Sequence, residues 1–205
     1  MTDHAQYLPG MGKSWLLPLY DPLTRLLGLP AVHRELVERA RLSPGLRVLE
    51  IGCGTGNLVR AVKSRHRDVA VTGIDPDPAA LARGRRKAAR ARLELRFDQG
   101  FAQALPYPDA SFDRVLSSLM FHHLDEADRP RALSEARRVL KPGGSLLVLD
   151  FAGSHHGPMS RSHRLRDHAG GRIPELMLQA GFAEAGESGQ TRTRVGRCTV
   201  WTARV

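Results

Sequence analysis

Short, nearly continuous apolar runs alternate along this chain with stretches whose apolar residues recur every three or four positions. Strands buried on both faces read as continuous apolar runs, and helices packed on one face read with the longer period. The pattern predicts strands over about 46–51, 69–74, 93–98, 114–120 and 145–151. Between them it predicts helices over about 56–65, 78–91 and 128–140. An earlier helix over 31–41 places Val32, Leu36, Val37 and Ala40 on one side and ends at Ser43-Pro44-Gly45. Asp128 reads as the N-cap of its helix, with Pro130 tolerated in the first turn. A Gly/Ser/His/Arg-rich segment, 152–170, then breaks the rhythm, and a helix over 172–180 ends at Gly181. Strands over 182–190 and 197–204 close the chain. Strand and helix in alternation predict an α/β fold on a mostly parallel sheet. Residues 1–44 read as an N-terminal helical cap and 45–205 as the main domain, the two forming one structural unit.

The first strand ends in Glu50-Ile51-Gly52-Cys53-Gly54-Thr55-Gly56-Asn57, and the second ends in Ile74-Asp75. Glycines at alternate positions let the chain turn sharply and let a ligand lie against bare backbone. Asp75 stands where α/β nucleotide folds offer a carboxylate to ribose hydroxyls, on a strand end facing a cleft with few core contacts. The spacing narrows the ligand. A dinucleotide fold needs G-x-G-x-x-G, and here the third glycine comes one residue early, with Asn57 in its place. A phosphate loop of the G-x-x-x-x-G-K-[ST] type is absent.

The E-x-G-x-G-x-G pattern resembles motif I of the class I S-adenosylmethionine (SAM) methyltransferases. Three further segments carry the same resemblance: Ala104–Val115, similar to the family's LPFPDxSFDxV; Ser117–Leu124, similar to its strand-four exit; and Glu135–Gly144, similar to its E-x-x-R-V-L-K-P-G-G turn. It extends over about 45–151 and is strongest to the subgroup with ubiquinone and menaquinone C-methyltransferases. It implies a single-domain Rossmann-like methyltransferase fold, a seven-stranded mostly parallel sheet with an antiparallel last strand, its last two strands an antiparallel pair on the sheet edge, and helices on both faces. It also implies SAM as cofactor. Glu50 and the backbone of Gly52, Cys53, Gly54, Gly56 and Asn57 would surround the methionine moiety, and Asp75 would take the ribose. Pro76 would pack near adenine, Phe101 and Ala102 would cover its edge, and Ser117 and Ser118 would lie under the methionine end. One departure stands out. The family reads Gly-Asp-Ala where this chain has Gly100-Phe101-Ala102, so the usual acceptor for the adenine amino group is lost unless Asp98 or Gln103 reaches over.

Composition changes this picture little. At 205 residues the chain suffices for one domain with a substantial core. No apolar run approaches the ~18 residues of a membrane span. Met1–Tyr7 has neither a basic start nor an apolar core, which argues against a secretion leader. Cys53 and Cys198 cannot form a disulfide framework, and a reducing, cytoplasmic setting is expected. The net charge of +10 is the unusual quantity. Arg83, Arg85, Arg86, Lys87, Arg90 and Arg92 crowd one helix, so the alternatives are a solvated basic face or an anionic partner. Aromatic residues are only 5% of the chain, too few to interleave stacking with charge, so nucleic acid is the less favoured partner.

Methyl transfer from a sulfonium needs alignment and exclusion of water, with a base only where the nucleophile must lose a proton. His122 and His123 follow strand four at the carboxyl edge of the sheet and are the candidate bases. Tyr20, in Leu19-Tyr20-Asp21-Pro22, resembles the YD that related enzymes place over the methyl group. Trp15, Leu16 and Leu17 offer an apolar lip, with packing of the cap as the default. His155, His156, His163 and His168 lack neighbouring carboxylates, and no metal site is expected. The leading reading is methyl transfer to a small-molecule or lipid-like acceptor by a monomer or homodimer. A nucleic-acid methyltransferase and a SAM-binding protein with little turnover are the alternatives. The first lacks both the [DN]-P-P-[YFW] run and a Pro-Cys nucleophile.

Overall fold

A computed structural model describes residues 26–151, 172–193 and 196–205. Seven strands form one sheet in the order β3-β2-β1-β4-β5-β7-β6. They are β1 (Arg47–Ile51), β2 (Ala70–Asp75), β3 (Arg96–Gln99), β4 (Phe112–Ser118), β5 (Leu140–Phe151), β6 (Glu184–Thr193) and β7 (Gly196–Arg204). Neighbours from β3 to β5 pair in parallel, and β7 runs antiparallel to both β5 and β6. The Rossmann-like sheet that the motifs imply is therefore present, with β7 as its one reversed strand. The order turns at β1–β4, and open α/β sheets bind ligands in the crevice beyond such a switch point.

Five α-helices complete the described fold: α1 (Leu29–Arg39), α2 (Asn57–Arg65), α3 (Pro78–Arg90), α4 (Asp128–Val139) and α5 (Ile173–Gln179). On one face of the sheet α1, α2 and α3 bury Leu36, Leu58, Val59 and Leu81 against Val48, Leu116, Leu147 and Val200. On the other, α4 and α5 bury Leu133, Val139 and Met177 against Leu49, Val115, Leu146 and Val148. Burying each such side chain stabilises the fold by about 1.5–3 kcal/mol. Residues 29–39 of the expected cap thus pack directly on the sheet.

Two local expectations are corrected. Asp128 is the first residue of α4, not its cap: the N-cap is Ala127 and makes no side-chain cap bond. The cap geometry comes from Asp125, whose carbonyl accepts from the backbone N–H groups of Asp128 and Arg129. β5 begins at Leu140, well before the expected position 145, because Leu140 pairs with Phe112 ahead of a register shift. That earlier stretch bends at Gly143, whose φ of +74° suits glycine.

His33 on α1 is buried, and burial, aided by the nearby Lys87 ammonium, lowers its pKa to about 4. The unfolded chain takes up this proton below about pH 6.5 and the folded chain resists it. Stability from this residue is therefore complete above pH 6.5 and is lost as pH falls toward 4. Urea midpoints should drop over that window, by an amount equivalent to roughly 2–3 kcal/mol. His33→Gln should flatten that slope.

Candidate functional site

The carboxyl ends of β1, β2 and β4 meet around the glycine turn. Ile74 O accepts from Gly52 N at 2.8 Å and Cys53 N at 3.0 Å, and Cys53 O accepts from Gly56 N at 2.8 Å. Gly52, Gly54 and Gly56 have φ of 72°, 51° and 75°. Their surroundings differ. A Cβ on Gly52 would strike Met120, and one on Gly56 would strike the Phe97 ring at 2.8 Å. A Cβ on Gly54 would meet nothing within 4 Å. Two of the glycines therefore answer to packing, and Gly54 is the one that leaves bare backbone facing open space.

Asp75 does more than end a strand. Its Oδ2 accepts from Gly54 N at 2.8 Å and its Oδ1 from Asp77 N at 2.9 Å, so the carboxylate ties the glycine turn to the start of α3. Burial raises its pKa, against the opposing effect of those two N–H groups. Asp77 caps α3 through Ala79 N and Ala80 N. The view of Asp75 as a carboxylate with few contacts is thus corrected. Asp75→Ala should weaken SAM binding by about 1–3 kcal/mol, the usual loss of charge-assisted bonds. It should also lower the urea midpoint, and titration calorimetry beside denaturation separates the two effects.

Three of the expected cofactor residues turn their side chains inward. Glu50 is buried, with Oε2 accepting from Val59 N at 2.9 Å; burial pushes its carboxyl well above the usual range. It anchors the start of α2 beneath the turn. Cys53 packs into the core, and a Cβ on Gly73 would lie 2.7 Å from its sulfur. Ala102 packs with Ile74 and Leu105. Cys53 and Ala102 can offer a ligand only backbone. Asn57 Oδ1 accepts from Lys87 Nζ at 2.6 Å, and the same ammonium bonds Thr55 Oγ1 at 3.1 Å. Lys87, a residue the sequence marked only as charge, thereby braces the turn from α3.

Beyond β2, Gly100 N donates to Asp75 O at 3.2 Å and brings Phe101, an exposed ring, beside the acidic strand end. Asp98 is engaged by the Tyr107 hydroxyl at 3.0 Å and by Arg96, and Gln103 reaches Asp128 at 3.4 Å. Both side chains are thus tied to other protein groups. Pro76 is half-buried, its carbonyl accepting from Gln99 Nε2. At the end of β4, the Ser117 and Ser118 hydroxyls are buried and make no hydrogen bond among the described residues. Burying a hydroxyl unpaired costs about 1–3 kcal/mol, so such groups need a partner.

The chain leaves β4 through Leu119, in the left-handed region at φ 53°, into a short 3-10 turn, Phe121–His123. His122 Nδ1 lies 2.7 Å from Asp150 Oδ1, and His122 N donates to Asp150 Oδ2 at 2.9 Å. Asp150, the next-to-last residue of β5, is fully buried and also accepts from Phe151 N at 2.8 Å. Burial alone would raise its pKa; the His122 imidazole and these N–H groups outweigh that and hold it below the usual carboxylate range. A carboxylate accepts, so Nδ1 carries a proton and Nε2 is the ring nitrogen not engaged by Asp150. His123 stacks beside it, ring centroids 4.1 Å apart. Asp150 was missed in the sequence, where it is only the last polar residue of an apolar run. Its signal was its place, at the carboxyl end of the strand next to the one preceding His122.

Tyr20, Trp15–Leu17 and the histidines at 155, 156, 163 and 168 lie outside the described residues. SAM fits what is present. Bare backbone at Gly54, two unpaired hydroxyls and buried carboxylates beneath the turn suit an amino-acid end and a sulfonium better than a pyrophosphate.

The comparisons with known proteins agree. The methyltransferase domain family matches residues 48–144. A demethylmenaquinone methyltransferase of Thermus thermophilus is 39% identical over 155 residues, 74% of this chain and 70% of the relative. A 27-O-demethylrifamycin SV methyltransferase of Amycolatopsis mediterranei is 35% identical over 170 residues, 78% of this chain and 61% of the relative. The chain thus spans less than two thirds of the second relative's length. A solved SAM-dependent methyltransferase from Aquifex aeolicus superposes with a TM-score of 0.71 at 19% identity, covering 89% of this chain and 92% of that one. At that identity it speaks for the fold alone.

Proposed function

The chain belongs to the class I SAM-dependent methyltransferases, and from that membership we propose that it methylates a small hydroxylated acceptor, a hydroquinone of the demethylmenaquinone type first among them. The observation that carries this reading is the buried Asp150 paired with His122 at 2.7 Å. An acceptor that is already a good nucleophile needs no base, and a hydroxyl does. The Thermus relative's name supplies the acceptor class, and His122 supplies the chemistry it would require.

When bound, SAM supplies an electrophilic methyl group on a sulfonium that leaves as a neutral thioether. The Gly54 backbone, the Ser117 and Ser118 hydroxyls and Asp75 would hold it, with Phe101 against the purine. His122 Nε2 takes the acceptor's hydroxyl proton, and the freed oxygen pair makes the oxygen, or the ring carbon beside it, nucleophilic; a ring carbon that takes the methyl then gives up its own hydrogen as a proton while the oxygen is reprotonated and the ring regains its aromaticity. Asp150 fixes the tautomer and stabilises the imidazolium that results. His123 and Phe151 stand beside the His122 ring and limit its motion.

The test is turnover with reduced demethylmenaquinone and with its oxidised quinone, read by product mass. Methylation of the hydroquinone and none of the quinone is expected. Binding of SAM without methylation of any hydroxylated aromatic would reject the acceptor reading and leave the family assignment intact.

A further inference from the structure

The positive charge of this protein is segregated by helix layer. Residues 78–92, α3 and its exit, carry six cations and no carboxylate. Residues 57–68, α2 and its exit, carry four cations and one carboxylate, and 29–41 carry three and two. This one layer accounts for a net +10, the whole of the chain's excess. On the opposite face, 125–139 carry four arginines and four carboxylates, and α5 adds one carboxylate, Glu175.

The two layers also differ in how their cations are partnered. On the α4 side Arg138 pairs with Glu135 and Asp109 at 2.7 Å, and Arg131 pairs with Asp128. On the α1–α3 side Arg39 pairs with Glu35 within α1. There, Lys63 donates to the carbonyls of Arg67 and Val69, Arg65 to Ala61 O and Arg85 to Phe97 O. Neutral oxygens orient these groups without cancelling their charge. Arg86, Arg90 and Arg92 are exposed, and Arg83, Arg86 and Arg90 follow one side of α3 over about 10 Å of helix.

We infer that the α1–α3 face is a docking surface for an anionic lipid bilayer. The cations are spread over three helices rather than converged, so they suit an extended negative plane and not a single phosphate. A layer of this charge is attracted to acidic headgroups within a Debye length, each Lys or Arg adding to the attraction. The three segments contain no Phe, Tyr or Trp with which to stack on exposed bases, which disfavours single-stranded nucleic acid. The inference goes beyond the proposed acceptor and stands whether or not that acceptor is a hydroquinone.

The experiment is co-sedimentation of the full chain with vesicles of phosphatidylcholine alone and of phosphatidylcholine mixed with phosphatidylglycerol. Binding to the mixed vesicles alone is expected, and it should fall as salt is raised. The triple variant Arg86→Glu/Arg90→Glu/Arg92→Glu should lose roughly a hundredfold in partitioning. The matching triple Lys variant should keep it, and SAM affinity by calorimetry should be unchanged in both. Equal binding to neutral vesicles, unchanged partitioning of the Glu variant, or tighter binding to duplex DNA than to the vesicles would each overturn the proposal.

Discussion

Gly54→Val is expected to abolish SAM binding, by roughly three orders of magnitude or more in Kd, while the domain stays folded. The reason is the difference between the three glycines. The space a Cβ would occupy at Gly54 contains no protein atom within 4 Å, so a side chain there displaces ligand and not core. At φ 51° a β-branched residue is also strained, by about 1–2 kcal/mol. Gly143→Val controls for that strain: Gly143 has φ +74° and equally open surroundings, and lies at the opposite end of the sheet. That variant should lose stability and bind SAM normally. Calorimetry on the two proteins decides the matter, and normal binding by Gly54→Val would reduce the glycine turn to a structural device. Side chains at Gly52 or Gly56 should instead disturb folding, because Met120 and Phe97 already fill those places.

The second large effect is on turnover. If His122 is the proposed base, His122→Asn should lower kcat by roughly 10²–10⁴-fold with little change in the Kd for SAM. Asp150→Asn keeps the shape and removes the charge, and a loss on the order of 10² is expected. The double variant should be little worse than His122→Asn alone, because the two residues act as a unit. Losses under about tenfold in every case would mean that alignment carries the reaction. The sequence by itself favoured that outcome, since a sulfonium makes a base optional and paired histidines are an ordinary feature. The 2.7 Å contact to a fully buried carboxylate shifts the expectation toward base catalysis.

What was legible in the sequence follows the range of the interactions. Strands β1, β2 and β4 and helices α2, α3 and α4 were readable because apolar period and turn chemistry are local, and their motifs stand within a few residues of each chain reversal. The reversed β7 came from resemblance alone, since nothing in 197–204 specifies its direction. Asp75 and Glu50 were visible as acidic strand ends, but their bonds to Gly54, Asp77 and Val59 were not. Inward and outward alternation along a loop has no fixed period, so the burial of the Cys53 and Ala102 side chains was equally hidden. Asp150 meets His122 across 28 positions, through the pairing of β4 with β5. A single sequence contains no sign of that contact beyond two polar residues at neighbouring strand ends.

The placement of β7 governs the order of assembly. β7 follows β6 in the chain yet stands between β5 and β6 in the sheet, bonded to both from Cys198 to Arg204. During synthesis β1 to β5 can pair as they emerge, but β6 has no strand to join until β7 has been made. The two must then dock as a hairpin on the free edge of β5, whose last residues include Asp150. Non-local pairing of this kind is slow, and until it happens β5 is an open edge rich in leucine and valine. Refolding should therefore show a late phase in which Trp201 becomes buried after most helical signal has returned. Aggregation, if it occurs, should be most pronounced before that phase.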